Sequence, residues 1–368
     1  MFENDRRTVM TLDAGGTNFV FTAIQGCKEV VEPIRLDAVN DDIEKCLNVL
    51  VKGFQMIKEK LEDEPVAISF AFPGPADYAS GIIGDLPNFP CFRGGVAMGP
   101  YLSEVFGIPV FINNDGNLFA YGEALSGALP YVNSLLEKAG STKRYRNLIG
   151  ITLGTGFGGG VVIDEVLLTG DNGCGGDVWL MRNSRHSNMI AEESVSIRAV
   201  KRHYHERAAE DSRDLTPKDI FDIAEGKAEG NAQAAVEAFQ ELGTVAADAI
   251  ANAINIADGL VVIGGGLAGA SKYIIPAIVK QLNSHLTTFA GASISCLQMK
   301  AHDLTTEEGL AELLKDNSKL VNIPNSEKTV RYNNDTKTGV MASMLGASTA
   351  ISLGAYTYAL KQLDKNHN

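Results

Sequence analysis

The sequence predicts an α/β protein built as two lobes, and three observations carry that prediction. Strand-like apolar runs paired about glycine turns come first and then alternate with helical stretches, the pattern of an α/β architecture. The 38 glycines bunch at 15–16, 154–160, 170–176 and 264–269, each bunch beside an apolar run. A strand, a Gly/Thr turn and a returning strand begin at Met10 and again at Ile151. That echo points to a duplicated fold clasping something between its halves.

The elements follow in order. Thr8–Leu12 reads as a strand, then the turn Asp13-Ala14-Gly15-Gly16, then an alternating strand from Asn18 to Ile24. Asp41–Leu61, acidic at its start and periodic, reads as a helix. Val66–Ala71 is a strand stopped by Pro73-Gly74-Pro75, Val110–Asn113 a second buried strand, and Asn117–Ser126 a helix. Leu148–Leu153 and Gly160–Ile163 form the second strand–glycine–strand unit. Glu192–Ala209, Pro217–Gly226 and Asn231–Asp258 read as helices, Leu260–Ile263 as a strand and Lys272–Leu282 as a helix. Ser293–Met299 reads as a strand, the polar 303–338 as a surface insertion, and Met341–Leu360 as a closing helix.

Composition narrows the function. The chain has 368 residues, 45% hydrophobic and 21% charged, long enough for two domains with substantial cores. With 32 Lys+Arg against 45 Asp+Glu the net charge is −13, which opposes a nucleic-acid partner. Five widely spread cysteines without a CxxC predict reduced thiols and a cytoplasmic protein rather than a disulfide framework. No stretch has signal-peptide character or the roughly 18 apolar residues that cross a membrane.

Three glycine turns and one polar segment carry chemistry. In Asp13–Asn18, Gly15 and Gly16 let backbone N–H groups approach a phosphate, Thr17 adds a hydroxyl, and Asp13 is placed to hold Mg²⁺ through water. An ordinary hairpin turn with an Asp cap is the alternative. Gly154-Thr155-Gly156-Phe157-Gly158-Gly159-Gly160 spends backbone entropy that a phosphate cradle or a hinge would justify. Gly264-Gly265-Gly266-Leu267-Ala268-Gly269 fits GxGxxG after a strand. It comes late in the chain, and Ser284 to Ala301 contains no Asp or Glu, so a turn against an adenosine face or plain packing fits better than a dinucleotide site. In Asn113-Asn114-Asp115-Gly116-Asn117, Asp115 at the mouth of a strand is placed to take a proton from a bound hydroxyl, with flanking amides to hold the substrate. The alternative is that Asp115 only caps the following helix. Cys174, His186, His203 and His205 lack zinc-like spacing, and Trp179 reads as core.

In this order the motifs resemble the ROK family of sugar kinases and repressors, within the actin-like ATPase (hexokinase-type, ribonuclease H-like) fold. The resemblance rests on LDAGGTN at 12–18, FPGPAD at 72–77, LPNFP at 86–90, INNDGNLFAYGE at 112–123, GTGFGGG at 154–160 and VVIGGGLAGA. It implies ATP-dependent phosphorylation of a hexose, usually at C6, with Asp115 as general base. By the same resemblance Gly74, Pro75, Asn88, Asn114, Asp177 and Glu192, with Glu193 as the alternative to Glu192, meet the sugar. Asp13, Gly15, Gly16, Thr17, Asn18, Gly154, Thr155, Gly156 and Gly158 hold ATP phosphates with Mg²⁺ near Asp13, and Gly264, Gly265 and Gly266 face adenosine. It implies a small lobe of 1–114 plus 345–368, a large lobe of 115–344 and a cleft between them, and it is compatible with a homodimer.

The departures bear on the substrate. Where the family has Glu followed by Ile-Gly-His, this chain has Asp177-Val178-Trp179-Leu180. The cysteine cluster of the family's zinc loop is absent, so no structural zinc is expected. Loss of the histidine leaves glucose, another hexose and an N-acetylhexosamine all open. The alternatives are a catalytically silent sugar-binding protein, favoured by the altered 177–180, and a sugar-sensing repressor, opposed by the short segment before Asp13 and the acidic charge.

Overall fold

The structure, a computed structural model, describes residues 2–15, 17–86 and 90–366. In chain order, strands β1 (Val9–Ala14), β2 (Asn18–Gln25), β3 (Lys28–Glu29) and β4 (Ile34–Asp37) lead into helix α1 (Ile43–Lys58). Next come β5 (Ala67–Ala71), β6 (Ala76–Asp77), β7 (Ile82–Ile83), α2 (Met98–Phe106), β8 (Val110–Asn113), α3 (Asp115–Leu125) and α4 (Ala128–Lys138). They are followed by β9 (Leu148–Leu153), β10 (Phe157–Ile163), β11 (Val166–Leu167), α5 (Ile197–Arg207), α6 (Pro217–Ala224) and α7 (Ala232–Ala257). The last third adds β12 (Leu260–Gly264), α8 (Ser271–Leu282), β13 (His285–Thr287), β14 (Ser293–Ser295) and β15 (Lys300–Asp303). The chain closes with α9 (Glu307–Leu314), β16 (Lys319–Asn322), β17 (Thr329–Tyr332), β18 (Lys337–Ala342) and α10 (Ala347–Asn366).

The chain divides into two compact units. Unit 1 is Met1–Ala128, Gly160–Gly176 and Met344–Asn368; unit 2 is Leu129–Gly159 and Asp177–Ser343. The boundary expected after Asn114 thus falls inside unit 1, because α3 packs along α10. There the backbones touch where side chains are missing: a Cβ on Gly122 would lie 1.9 Å from the Ala350 carbonyl oxygen, and one on Gly354 1.9 Å from that of Leu118.

Unit 1 is built on the sheet β3-β2-β1-β5-β8, with β4 also pairing β2. β1 and β2 are antiparallel, while β1, β5 and β8 run parallel. Its core holds a run of phenylalanine rings. Phe21 of β2 meets Phe54 of α1 edge-on at 5.1 Å, and Phe54 packs on Phe70 of β5 at 5.9 Å. Phe70 meets Phe72 at 6.3 Å and Phe72 meets Phe92 at 5.4 Å. Such offset pairs add to simple burial, and here they brace the backbone just before Pro73. Unit 2 rests on the order β9-β12-β18-β15, all parallel, and the β10–β11 hairpin extends the same sheet order. Both sheets therefore place a hairpin ribbon beside parallel crossover strands, which is the echo read from the sequence.

Several elements match their sequence signals closely. Asp42 caps α1 by accepting the Lys45 N–H, Asn231 caps α7 through the Ala234 N–H, and Asp258 ends α7 in the left-handed region at φ 43°. Others differ. Ser293–Met299 is not a sheet strand: β14 pairs only with β13 in an exposed hairpin, and the sheet strand is β15. The 303–338 stretch is a crossover from β15 to β18 that contains α9, whose Leu313 is buried, and the exposed β16–β17 hairpin. The closing helix starts at Ala347, since Lys337–Ala342 is the buried strand β18. Glu192–Ala209 is a 3-10 turn (Ala191–Ser194) followed by α5.

Candidate functional site

In unit 1, β1 carries Asp13 opposite Val20 of β2, and the chain turns with the Gly15 N–H donating to the Asn18 carbonyl at 3.0 Å. Thr17 is exposed, and its hydroxyl accepts from Asn18 Nδ2 at 3.1 Å. Gly16 lies outside the described residues, as does Asn88. Gly74 and Pro75 lead out of β5 through a cis peptide, and the Pro75 carbonyl accepts the Gly84 N–H at 2.8 Å.

The Asn113–Asn117 segment is organised by its own amides. Asn113 is buried, and its Oδ1 accepts the Asn114 N–H at 2.9 Å and Asn117 Nδ2 at 3.0 Å. Asn114, not Asp115, caps α3: its Oδ1 accepts the Asn117 N–H at 2.6 Å. Asp115 is the exposed first residue of α3, with Oδ1 accepting the Gly116 N–H at 2.8 Å. A cavity of about 170 Å³ within unit 1 is lined by Asp13, Ala71, Phe72, Pro73, Asp115 and Ile351. The fold thus brings the two aspartates, far apart in sequence, to one pocket. The hard carboxylate oxygens of Asp13, exposed at the end of β1, suit Mg²⁺ held through water.

In unit 2 the second glycine motif is a turn followed by a strand. The turn is tight, with the Gly154 N–H donating to the Gly156 carbonyl at 3.0 Å and Thr155 exposed at its tip. Phe157 to Gly160 already belong to β10, with Gly158 a half-buried residue of that strand. Gly264 ends β12 in the buried sheet. Gly265 has φ +87°, and a Cβ there would lie 2.4 Å from the Leu153 carbonyl oxygen, so only glycine fits. Gly266 has open space around it and begins a 3-10 turn ahead of α8.

Asp177 is half-buried, and burial pushes its carboxyl above the usual carboxylate range, opposed by a hydrogen bond from Trp179. Trp179 is therefore a half-buried partner of Asp177 rather than a core residue. Leu180, beside it, is 53% exposed. Glu192 is partly buried and already engaged: its carboxylate accepts the Phe157 N–H at 3.1 Å and pairs with Arg198 at 3.0 Å. Sequence reading missed Arg198, because a lone arginine near a helix start carries no signal. It also missed the wholly buried Glu123, whose carboxylate accepts the N–H groups of Ala128 and Leu345. A larger cavity, about 730 Å³, is lined by Arg207, Asp211, Arg213 and Glu229. Its arginines are already paired, Arg213 with Asp211 at 2.5 Å and Arg207 with Glu237 at 3.4 Å.

Two glycine turns, a strand-end aspartate and a twofold sheet plan define an actin-like ATPase of the sugar-kinase kind. The chain belongs to the ROK family, which it matches over residues 9–317, and it is a glucokinase-like member. A glucokinase structure from Parabacteroides distasonis is 56% identical, superposes with a TM-score of 0.90, and is covered to 99% by 98% of this chain. An N-acetyl-D-glucosamine kinase of Haemophilus influenzae is 26% identical over 75% of this chain and 89% of its own length. A glucokinase of Thermotoga maritima is 29% identical over 45% of this chain, a match spanning 48% of that relative. A ROK glucokinase of Streptomyces griseus, solved with glucose and AMPPNP, shares the fold at TM-score 0.59 and 18% identity, over 95% of this chain and 98% of that one. Among the described residues no helix is long and apolar enough to cross a membrane.

Proposed function

We propose that this protein transfers the γ-phosphoryl group of ATP to the C6 hydroxyl of a hexose or hexose derivative, as a cytoplasmic enzyme. The observation that carries the reading is the shared pocket of Asp13 and Asp115. Asp115, first residue of α3 and fixed by the Gly116 N–H, is the general base. Its carboxylate takes the proton as the sugar oxygen attacks phosphorus in line, and the bond to the ADP oxygen breaks. Asn114 offers its amide nitrogen to a neighbouring hydroxyl, while its carbonyl keeps α3 capped. Asp177, steadied by Trp179, and Glu192 contribute further polar contacts to the sugar, with Gly74 and Pro75 on the substrate side. The Gly15–Asn18 and Gly154–Gly156 turns present N–H groups and hydroxyls to the phosphates, and the Gly264–Gly266 turn faces the adenosine. Asp13 would hold Mg²⁺, which neutralises phosphate charge when bound.

Exposed Leu180 favours one second reading, a silent sugar-binding protein of the same fold. ADP release from Mg-ATP across hexoses and N-acetylhexosamines separates the two. Turnover on one sugar is the expected result and names the substrate. Silence in folded protein that still binds sugar would support the second reading.

A further inference from the structure

The segment that carries Glu192 also holds the second glycine turn. The Ile197 N–H donates to the Gly154 carbonyl at 2.8 Å. One Glu192 oxygen accepts the Phe157 N–H at 3.1 Å, and a Cβ on Gly156 would lie 2.6 Å from that same oxygen. The other oxygen accepts from Arg198 Nη2 at 3.0 Å, and Nη2 also donates to Glu193 Oε1 at 2.8 Å. One guanidinium therefore ties two adjacent carboxylates, of which Glu192 is the less exposed, 21% against 40%.

A carboxylate packed against a turn that receives phosphates poses an electrostatic problem. Like charges in a partly desolvated setting repel more strongly than in water. Arg198 offsets one of the two negative charges and holds the Glu192 carboxylate edge toward the Phe157 N–H. We propose that Arg198 is a positioning residue for the nucleotide: through Glu192 it keeps the Gly154–Gly156 turn shaped and electrostatically open to the phosphates of ATP. It touches no substrate itself. The inference rests on the assignment of that turn as a phosphate loop.

Calorimetric titration of the full-length protein with Mg-AMPPNP tests it without needing the sugar. Arg198→Ala is expected to raise Kd about tenfold, ~1.4 kcal/mol, and more at low salt than at high. Arg198→Ala/Glu192→Gln is expected to recover most of that loss, since the glutamine oxygen still accepts the Phe157 N–H but carries no charge. Thr155→Ala reports separately on the turn. If Thr155→Ala weakens binding and Arg198→Ala does not, the role of Arg198 is overturned while the phosphate assignment stands. If neither weakens binding, the assignment itself fails and the inference with it. An Arg198→Ala loss that is salt-independent and not recovered by Glu192→Gln also overturns the proposal, because it marks a merely structural role. Should Arg198→Ala fail to fold, Arg198→Lys keeps the charge and is expected to hold Kd within about threefold; a full tenfold loss there contradicts the account.

Discussion

Asp177 shows how one residue's surroundings translate into a pH profile. Burial raises its carboxyl above the usual carboxylate range, with the Trp179 hydrogen bond opposing. Its folded state holds a proton more tightly than its unfolded state. The associated stability is therefore fullest below the ordinary Asp value and is lost as pH rises through the folded value. For the proposed sugar contact of Asp177, function runs the other way, because the ionised carboxylate is the better acceptor for hydroxyls. KM for the sugar should rise on acidification at a pH above that of an ordinary aspartate, and Asp177→Asn should flatten this acid limb. An unchanged limb in Asp177→Asn would assign it to another group. The place of Asn114 and Asp115 between β8 and α3 was legible from the sequence, because a short buried strand ending in Asn-Asn-Asp announces its exposed end. Which of them caps α3 was not legible, since Asn and Asp are equally good caps. The coordinates decide it through the 2.6 Å contact of Asn114 with the Asn117 N–H.

At the scale of elements, the packing of α3 on α10 places Asp115, the proposed base. The two helices approach through Gly122 and Gly354, each leaving less than 2 Å between a virtual Cβ and a carbonyl oxygen of the other helix. Backbone cannot yield as a flexible side chain can, so a methyl group forces the helices apart. Gly122→Ala should cost about 1–3 kcal/mol in chemical denaturation. It should also lower kcat, since α3 carries Asp115 and α10 carries Ile351 of the same pocket. Wild-type stability in Gly122→Ala would contradict this packing. The sequence announced α10 as rich in small residues but misplaced its start, because the apolar Val340-Met341 of β18 continues the same apolar pattern. The crossover at 303–338 was illegible for a related reason: its exposed β16–β17 hairpin is polar, and α9 buries only Leu313.

At the scale of the whole molecule, two buried imidazoles tie folding to pH. His203 and His302 are 5% and 7% exposed, and among the described residues neither Nε2 has a partner. Burial lowers both below the ordinary imidazole value. The unfolded chain accepts protons there that the folded chain resists. Stability is therefore full above the unfolded value, about 6.5, and falls as pH drops through it toward the folded values. Urea unfolding at about pH 7.5 and pH 5.5 should show that fall, and His203→Gln should reduce it. An identical slope in the variant would exclude His203 as a source. The glycine turns were readable as strand ends, and at Gly265 a Cβ would meet the Leu153 backbone. Contacts such as Arg198 with Glu192 were not readable, because they join residues by tertiary folding rather than by spacing. In the proposed reaction Asp115 removes the proton from the acceptor hydroxyl. The most direct test compares Asp115→Asn with wild type in phosphoryl transfer to the sugar that turns over, alongside Mg-AMPPNP binding. Nucleotide affinity within about twofold of wild type and a kcat lower by about 10²–10⁴ is the predicted result. Retention of wild-type kcat would contradict the account.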